Sequence, residues 1–231
     1  MKAEYLLFNI VIFVGPLFLG LHRLFRFKYW FEALFSIIIV MIPYIVWDAA
    51  VTGKHWLFNS DYILGIYLTK LPIEEWLFFI TVPFACLFTW EMIVRNIKDR
   101  PLSIGKYVYY MQYIFPIIAV LFFTQGKQYT GLVMIFLSLA IFMDSLMKTD
   151  LLMQKRFYLY LSFIILFTLI FNGYLTWRPV VLYGEFYQLD FRVFTIPIED
   201  FGYGLSLLYF NTILYEKLKT RKMNVLKIAN I

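Results

Sequence analysis

The sequence predicts an all-α membrane protein whose seven transmembrane helices form two parallel three-helix repeats joined by a linking helix, a 3+1+3 arrangement. Three observations lead to this prediction: the apolar composition, seven apolar stretches of membrane-spanning length, and a repeat at an offset of 125 residues. Of the 231 residues, 62% are hydrophobic and 22% are aromatic. Soluble domains average roughly 45–50% apolar residues, so the composition indicates a protein embedded in a bilayer.

Seven apolar stretches are long enough to cross a hydrocarbon layer about 30 Å thick at about 1.5 Å per helical residue. They lie near 5–21, 33–51, 76–94, 107–124, 129–147, 157–176 and 200–216. Backbone polar groups in lipid must pair internally, which leaves helices or closed barrels. These stretches are continuously apolar rather than alternating in polarity, so we expect helices.

The internal repeat relates the first three stretches to the last three. A shift of 125 residues maps 5–21 onto 130–146, 33–51 onto 158–176, and 76–94 onto 201–219, whereas 107–124 has no counterpart. Three helices reverse the direction of the chain across the membrane and a fourth restores it, so both repeats run the same way. We expect one compact membrane domain, divided into a first repeat, a linking region and a second repeat at 1–95, 96–128 and 129–231.

The distribution of basic residues predicts the orientation in the membrane. Alternate loops collect 15 Lys and Arg residues on one side and 6 on the other. The positive-inside bias then places the N-terminus outside and the C-terminal tail in the cytoplasm of a multi-pass cell membrane protein. Basic loops facing anionic lipid account for the net charge of +6 without a nucleic-acid partner.

A short acidic motif occurs once in each repeat. Residues 72–75 read P-I-E-E and residues 197–200 read P-I-E-D, and each motif leads into a mostly apolar helix. One interpretation is helix capping, because carboxylates after an N-terminal proline compensate the helix dipole. A second adjacent carboxylate is not needed for capping, and burying it costs several kcal/mol. The duplicated pair therefore favours chemistry inside the membrane.

The four acids of these motifs are the predicted catalytic residues: Glu74, Glu75, Glu199 and Asp200. Two close carboxyl groups cannot both ionise cheaply, so one is expected to hold a proton while its neighbour stays charged. Such a pair can protonate a substrate at one atom and remove a proton from another. That chemistry suits a non-redox isomerisation.

Other polar residues are predicted to support the site or the helix ends. Asp48 ends the second helix near the motif, Asn172 takes the corresponding place in the second repeat, and both are expected to contact the acids. Glu91 and Glu216 follow aromatic residues about 25 Å farther along their helices. We expect them to form salt-bridged anchors with the basic residues beside them, which are Arg95, Lys217 and Lys219.

The aromatic residues near the acids are candidates for stabilising a carbocation, because electron-rich ring faces attract cations. These candidates are Trp47, Trp56, Tyr62, Trp76, Tyr187 and Tyr203. Asp144 is left out of the site and is expected to pair with Lys148. His22 and His55 are isolated in the sequence and are expected to be solvated or interfacial, so we predict no metal site. The sequence also lacks a dinucleotide-binding glycine motif, so we predict no flavin or nicotinamide cofactor.

At these motifs the chain resembles the membrane-embedded, flavin-free lycopene cyclase family, which carries a Pro-x-Glu-Glu/Asp motif in each half. The strings L-P-I-E-E-W-L-F-F and I-P-I-E-D-F-G-Y-G-L and the later W-E and Y-E pairs carry the resemblance. It implies the fused two-repeat form of a carotenoid cyclase, acting without a cofactor on lycopene or a related C40 polyene in the bilayer. The implied reaction closes the linear ψ end groups to β-ionone rings. Association with other carotenoid enzymes stays open.

Two other functions compete with this interpretation. Small sugar transporters of the SWEET type also use 3+1+3 helices, and paired acids could then relay protons. A retinal-binding rhodopsin would need a Schiff-base lysine in the last helix, and none lies between Asp200 and Glu216. The sequence leaves open which acid donates the proton, whether there are one or two active sites, and whether one or both ends of the substrate react.

Overall fold

The computed structural model describes residues 2–229, with side chains described up to 227, so the outermost residues of the predicted repeats lie outside it. Helices account for most of the chain. They are α1 Glu4–Leu21, α2 Trp30–Val51, α3 Ile73–Asn96, α4 Gly105–Val108, α5 Met111–Thr124, α6 Gln128–Met147, α7 Lys155–Phe167, α8 Gly173–Trp177 and α9 Ile198–Ala229. A π-helical segment, Thr168–Asn172, joins α7 to α8 without a break.

Six segments of the described chain are long and apolar enough to cross a membrane, which makes this an all-α membrane protein. They are α1, α2, α3, α4 with α5, α6, and α7 to α8. The seventh predicted span, 200–216, lies within α9 but is not among the six. Its acidic start and internal polar residues such as Asn211 lower its hydropathy, and it packs against α2, α3, α6 and α7.

The helices of the two repeats correspond at the offset of 125 residues. Helix α1 packs on α3 in the first repeat, as α6 packs on α9 in the second. Each repeat also contacts the other, because α2 packs on α9 and α7 packs on α3. Helices α3 and α9, which begin at the acidic motifs, touch each other and occupy the centre of the bundle.

Short strands before α3 and α9 fix where these helices begin. The first hairpin pairs β2 (Tyr67–Leu68) with β3 (Leu71–Pro72), and the second pairs β5 (Arg192–Val193) with β6 (Ile196–Pro197). Both turns place a residue with positive φ at the same repeat position, Thr69 and Phe194. The motif prolines close each hairpin, where a missing N–H is tolerated at a sheet edge and at a helix entry.

One further sheet joins the two repeats. Strand β1 (Trp56–Phe58) pairs antiparallel with β4 (Val181–Tyr183), and Leu57 lies opposite Leu182. These two leucines are themselves 125 residues apart, so the pairing is symmetric about them. Leu57 and Leu182 face outward, whereas the residues on either side of them turn toward the bundle.

Candidate active site

All four motif acids are buried at the starts of α3 and α9. Their exposed fractions are 0% for Glu74, 8% for Glu75, 2% for Glu199 and 6% for Asp200. At this level of burial a carboxyl group needs hydrogen bonds, and each of the four acids has at least one oxygen that accepts one. Those partners divide each pair into two different environments.

The first acid of each pair faces the backbone of the loop before its own helix. The backbone N–H of Leu64 donates to Glu74 Oε1 at 2.6 Å, and that of Leu189 donates to Glu199 Oε1 at 2.7 Å. The Thr130 hydroxyl also donates to Glu199 Oε1, at 2.6 Å. Each backbone donor lies ten residues before its acceptor, so these acids fasten equivalent loops to the start of the helix.

The second acid of each pair lines a cavity of about 280 Å³ between the repeats. Glu75 enters it from α3 and Asp200 from α9, and Asp48, at the end of α2, lines it as well. The structure therefore brings one motif acid from each repeat into a single cavity. Glu74 and Glu199 are not among the lining residues.

Glu75 and Asp200 have unequal sets of hydrogen-bond donors. The Tyr5 hydroxyl donates to Glu75 Oε2 at 2.5 Å. Asp200 accepts from three side chains: Tyr129 at 2.6 Å, Asn172 at 2.6 Å and Tyr183 at 2.5 Å. Burial, followed by the nearby Asp200 carboxylate, raises the pKa of Tyr183 well above its usual range. Tyr183 therefore keeps its proton and stays a donor.

Asp48 occupies the cavity wall beside the strand pair. Its Oδ1 accepts from Trp56 Nε1 at 2.6 Å, and its Oδ2 is buried with no hydrogen-bond partner among residues 2–229. An unpaired buried carboxyl oxygen is costly unless something satisfies it. Asp48 thus presents an unpaired oxygen at the cavity that Glu75 and Asp200 line.

The cavity lining is otherwise mostly apolar and aromatic. Besides the residues already described, it includes Phe58, Phe78, Val82, Ala85, Phe167, Phe171, Val181, Tyr203, Leu207 and Leu208. Most of these side chains exclude water and offer ring faces rather than nucleophiles. The site can therefore hold an apolar molecule against the buried carboxyl groups of Glu75 and Asp200.

Only part of the predicted aromatic set lines the cavity. Trp56 and Tyr203 do, whereas the other four rings lie outside the lining. Tyr62 lies under the Arg178 guanidinium at 5.2 Å, and Tyr187 stacks on His55 at 4.6 Å. Trp76 Nε1 donates to the Leu68 backbone at 3.2 Å, and Trp47 packs against Phe136 and Tyr203. Proximity in sequence to the acids does not fix which way a ring points.

Sequence reasoning missed the tyrosines that donate to the acids. Tyr5 and Tyr129 stand at the starts of α1 and α6, the first helices of the two repeats, and Tyr183 stands in β4. The offset of 125 places Tyr5 opposite Thr130, which donates to Glu199. The position near the start of each repeat is the signal that could have identified Tyr5 and Tyr129.

The aromatic-Glu pairs form a reciprocal contact near the end of α3 and in the middle of α9. Trp90 Nε1 donates to Glu216 at 2.8 Å, and the Tyr215 hydroxyl donates to Glu91 at 2.8 Å. Lys219 Nζ bridges both glutamates, at 2.7 Å from Glu91 and 2.9 Å from Glu216. The expected anchoring is therefore present but runs between the repeats.

The partners expected for these glutamates were partly wrong. Neither Arg95 nor Lys217 forms an ion pair with Glu91 or Glu216 among the described residues, and Lys217 instead donates to the Met147 backbone at 2.8 Å. Lys219 is the basic residue that reaches both carboxylates, because α3 and α9 pack directly against each other.

Outside the site, the partner expected for Asp144 was wrong, and so was the solvated alternative for His55. Asp144 does not pair with Lys148 but accepts from the Tyr109 and Tyr209 hydroxyls, each at 2.7 Å, from Thr149, and from two backbone N–H groups. His55 is not solvated: it is 3% exposed, and the β1–β4 region covers it. Burial lowers the pKa of His55.

The fold and the site define a helical membrane protein made of two internal repeats, with a carboxylate from each repeat at one apolar cavity. The family model described as lycopene cyclase matches residues 2–93 and again residues 126–218. The two matches cover more than half of the chain, and the chain therefore belongs to the lycopene cyclase family. The comparison with curated proteins gave no match, and neither did the comparison with solved structures.

Proposed function

We propose that the chain is a lycopene β-cyclase that closes the linear ψ end groups of lycopene to β-ionone rings without net oxidation or reduction. The observation that carries this proposal is the meeting of Glu75 and Asp200, one from each repeat, in a single buried apolar cavity. An apolar polyene dissolves in the same medium as the site. Exclusion of water also protects a carbocation from being trapped.

The reaction needs one proton donor and one proton acceptor. The acid adds a proton to C2 of the terminal double bond, which leaves a cation at C1. The electron pair of the C5–C6 double bond then forms the C1–C6 bond and moves the cation to C5. Loss of the C6 proton to the base forms the new C5–C6 double bond, so the product is an isomer of the substrate.

The unequal donor sets support an assignment of these roles. Three donors favour the charged form of Asp200, which suits the base, whereas Glu75 has a single hydroxyl partner and suits the acid. After each turnover the proton on Asp200 must return to Glu75, and Asp48 lines the same cavity and could carry it. Glu74 and Glu199 then act as positioning residues that hold the helix starts.

The arrangement in the membrane forms part of this proposal. The six apolar segments and α9 would cross the bilayer as 3+1+3 helices in parallel repeats, with α4 and α5 as the linking span. The positive-inside count supports an outer N-terminus and a cytoplasmic C-terminus. The cavity would then lie toward the outer side of the membrane.

Expression in a bacterium that accumulates lycopene tests the function directly. The proposal expects new pigments with one or two β-ionone rings, identified by chromatography and absorption spectra, together with a matching loss of lycopene. The double variant Glu75→Gln/Asp200→Asn, present at the same membrane level, serves as the inactive control. A transporter would leave lycopene unchanged, and that result would overturn the proposal.

A further inference from the structure

The cavity breaks the symmetry of the two repeats. Along α3 its lining runs from Glu75 to Thr89, about 21 Å of helix. Its side walls come from α1 and from the region of α7 and the π-helical segment. The corresponding walls in the other half, α6 and α2, contribute only Tyr129 and Asp48, both at the end where the acids lie. We call this one-sided cavity the slot.

Large aromatic side chains fill the equivalent position in the other half. Trp47 and Phe136 lie with ring centroids 4.5 Å apart, and Tyr44 lies 5.0 Å from Phe136. The Tyr203 ring packs against the same group, with its centroid 4.9 Å from that of Trp47 and 5.2 Å from that of Tyr44. Tyr44 is fully buried and donates a hydrogen bond to Ser206 at 2.7 Å. We call Tyr44, Trp47 and Phe136 the aromatic plug.

Smaller or differently shaped residues stand at the repeat-related positions that face the slot. The offset of 125 pairs Phe136 with Val11, and Trp47 with Asn172. Val11 and Asn172 both line the slot. The same comparison pairs Phe210, which packs near Tyr44, with the slot residue Ala85. At these three positions the residue that faces the slot is smaller than its counterpart in the filled half.

The π-helical segment adds a second asymmetry on the same side. Residues 168–172 are π-helical in the second repeat, whereas their counterparts lie inside the regular helix α2. The segment ends at Asn172, which lines the slot and donates to Asp200. Such bulges frequently accompany functional sites because they redirect side chains. Here the bulge lies in the wall of the slot and carries an Asp200 donor.

We propose that the chain binds a single linear apolar polyene through one slot, entered from the bilayer beside Val11, and that the aromatic plug closes the equivalent slot of the other half. This inference rests on the proposed function and specifies how its substrate enters. Val11 lines the slot and is 62% exposed, so the slot opens there to the lipid-facing surface. Glu75 and Asp200 lie at one end of the slot, so an end group of the polyene reaches them while the rest of the polyene extends toward the opening.

Filling the slot tests this proposal. Val11→Phe places at the opening the residue that its counterpart Phe136 provides, and Ala85→Phe copies Phe210 farther along the wall. Val120→Phe is the matched control, because Val120 lies on α5 and is 60% exposed, much like Val11. Each chain is purified from lycopene-accumulating cells after its membrane level has been measured. Two quantities are then compared: lycopene retained per protein, from visible absorbance, and conversion to cyclic products.

The proposal expects Val11→Phe and Ala85→Phe each to lower retained lycopene and conversion by about tenfold or more, because each added ring occupies space that the polyene needs and overpacking is costly. Val120→Phe should match the parent chain in both quantities. If both slot variants retain and convert lycopene like the parent, the single slot is wrong. If the parent retains lycopene without converting it, and the slot variants lose retention, the cyclase function fails while the slot stands. A parent chain that retains and converts none overturns both.

Discussion

The division of each acid pair into two environments predicts that substituting neighbouring glutamates has very different effects. Glu75→Gln keeps the shape of the side chain but removes the proton that we assign to the acid. Loss of a positioned general acid typically lowers a rate by about 10²–10⁴-fold. Glu74→Gln changes a carboxyl group that lies outside the cavity lining and accepts from the Leu64 backbone at 2.6 Å.

The cost of Glu74→Gln follows from that hydrogen bond. A glutamine oxygen can still accept from the Leu64 N–H, but the bond changes from charge-assisted, about 1.5–3 kcal/mol, to neutral, about 0.5–1.5 kcal/mol. The expected loss of stability is therefore about 1 kcal/mol. The catalytic carboxyl group is untouched, so turnover per folded chain should stay within about fivefold of the parent, a change near 1 kcal/mol.

The measurement is the rate of lycopene loss in isolated membranes, divided by the amount of folded chain found by gel filtration in detergent. Thermal unfolding of the same samples reports the stability term separately. The second repeat offers an internal replicate, because Asp200→Asn should behave like Glu75→Gln, and Glu199→Gln like Glu74→Gln. Equal loss of turnover in Glu74→Gln and Glu75→Gln, at equal folded levels, would refute the division of roles.

Three further predictions concern groups away from the motif. Lys219→Met should lower the free energy of unfolding by about 2 kcal/mol, because Glu91 and Glu216 lose their shared cation; both glutamates are partly exposed, so solvent screens part of the loss. An unchanged melting temperature in detergent would contradict this. Asp144→Ala removes the acceptor of five donors and should cost about 4 kcal/mol or more, seen as loss of monodisperse protein, whereas a normal elution profile would argue against the network. Burial lowers the pKa of His55, so the unfolded chain binds the extra proton first as the pH falls below about 6.5, and stability should drop there. His55→Gln should reduce the change in melting temperature between pH 7 and pH 5, and an equally steep profile in the variant would rule this out.

The helices and the repeat could be predicted from the sequence, because the length of an apolar stretch and a fixed offset between similar segments can be read directly along the chain. The three helices of each predicted repeat appear at corresponding positions, and the unmatched stretch 107–124 lies within α4 and α5. Hydropathy alone was less informative for α9. That helix is surrounded by other helices, so it can carry Asn211 and Thr212 where a lipid-facing helix could not.

Side-chain direction was beyond the reach of the sequence. Adjacent residues on a helix point about 100° apart, so one acid of a pair can face a loop while the other faces a cavity. The local sequence does not indicate which of the two acids faces the loop and which faces the cavity. Trp47 illustrates the same limit, because its assignment to the site depends on whether α2 packs against Phe136 or against open space. Packing between the two repeats determines the direction in which these side chains point.

The symmetric strand pair constrains the lengths of two loops that are distant in the chain. Trp56 and Tyr183 lie opposite one another in the register, and each donates a hydrogen bond to a carboxylate, Asp48 or Asp200. Deleting one residue before either strand would shift the ladder by one step and turn alternate side chains to the opposite face. A single deletion would then turn the donor of that strand away from its acid, and the lost pairing would leave the strand that carries the other donor without its neighbour. The lengths of the loops before Leu57 and Leu182 are therefore constrained by both acids, although the loops lie 125 residues apart in the chain.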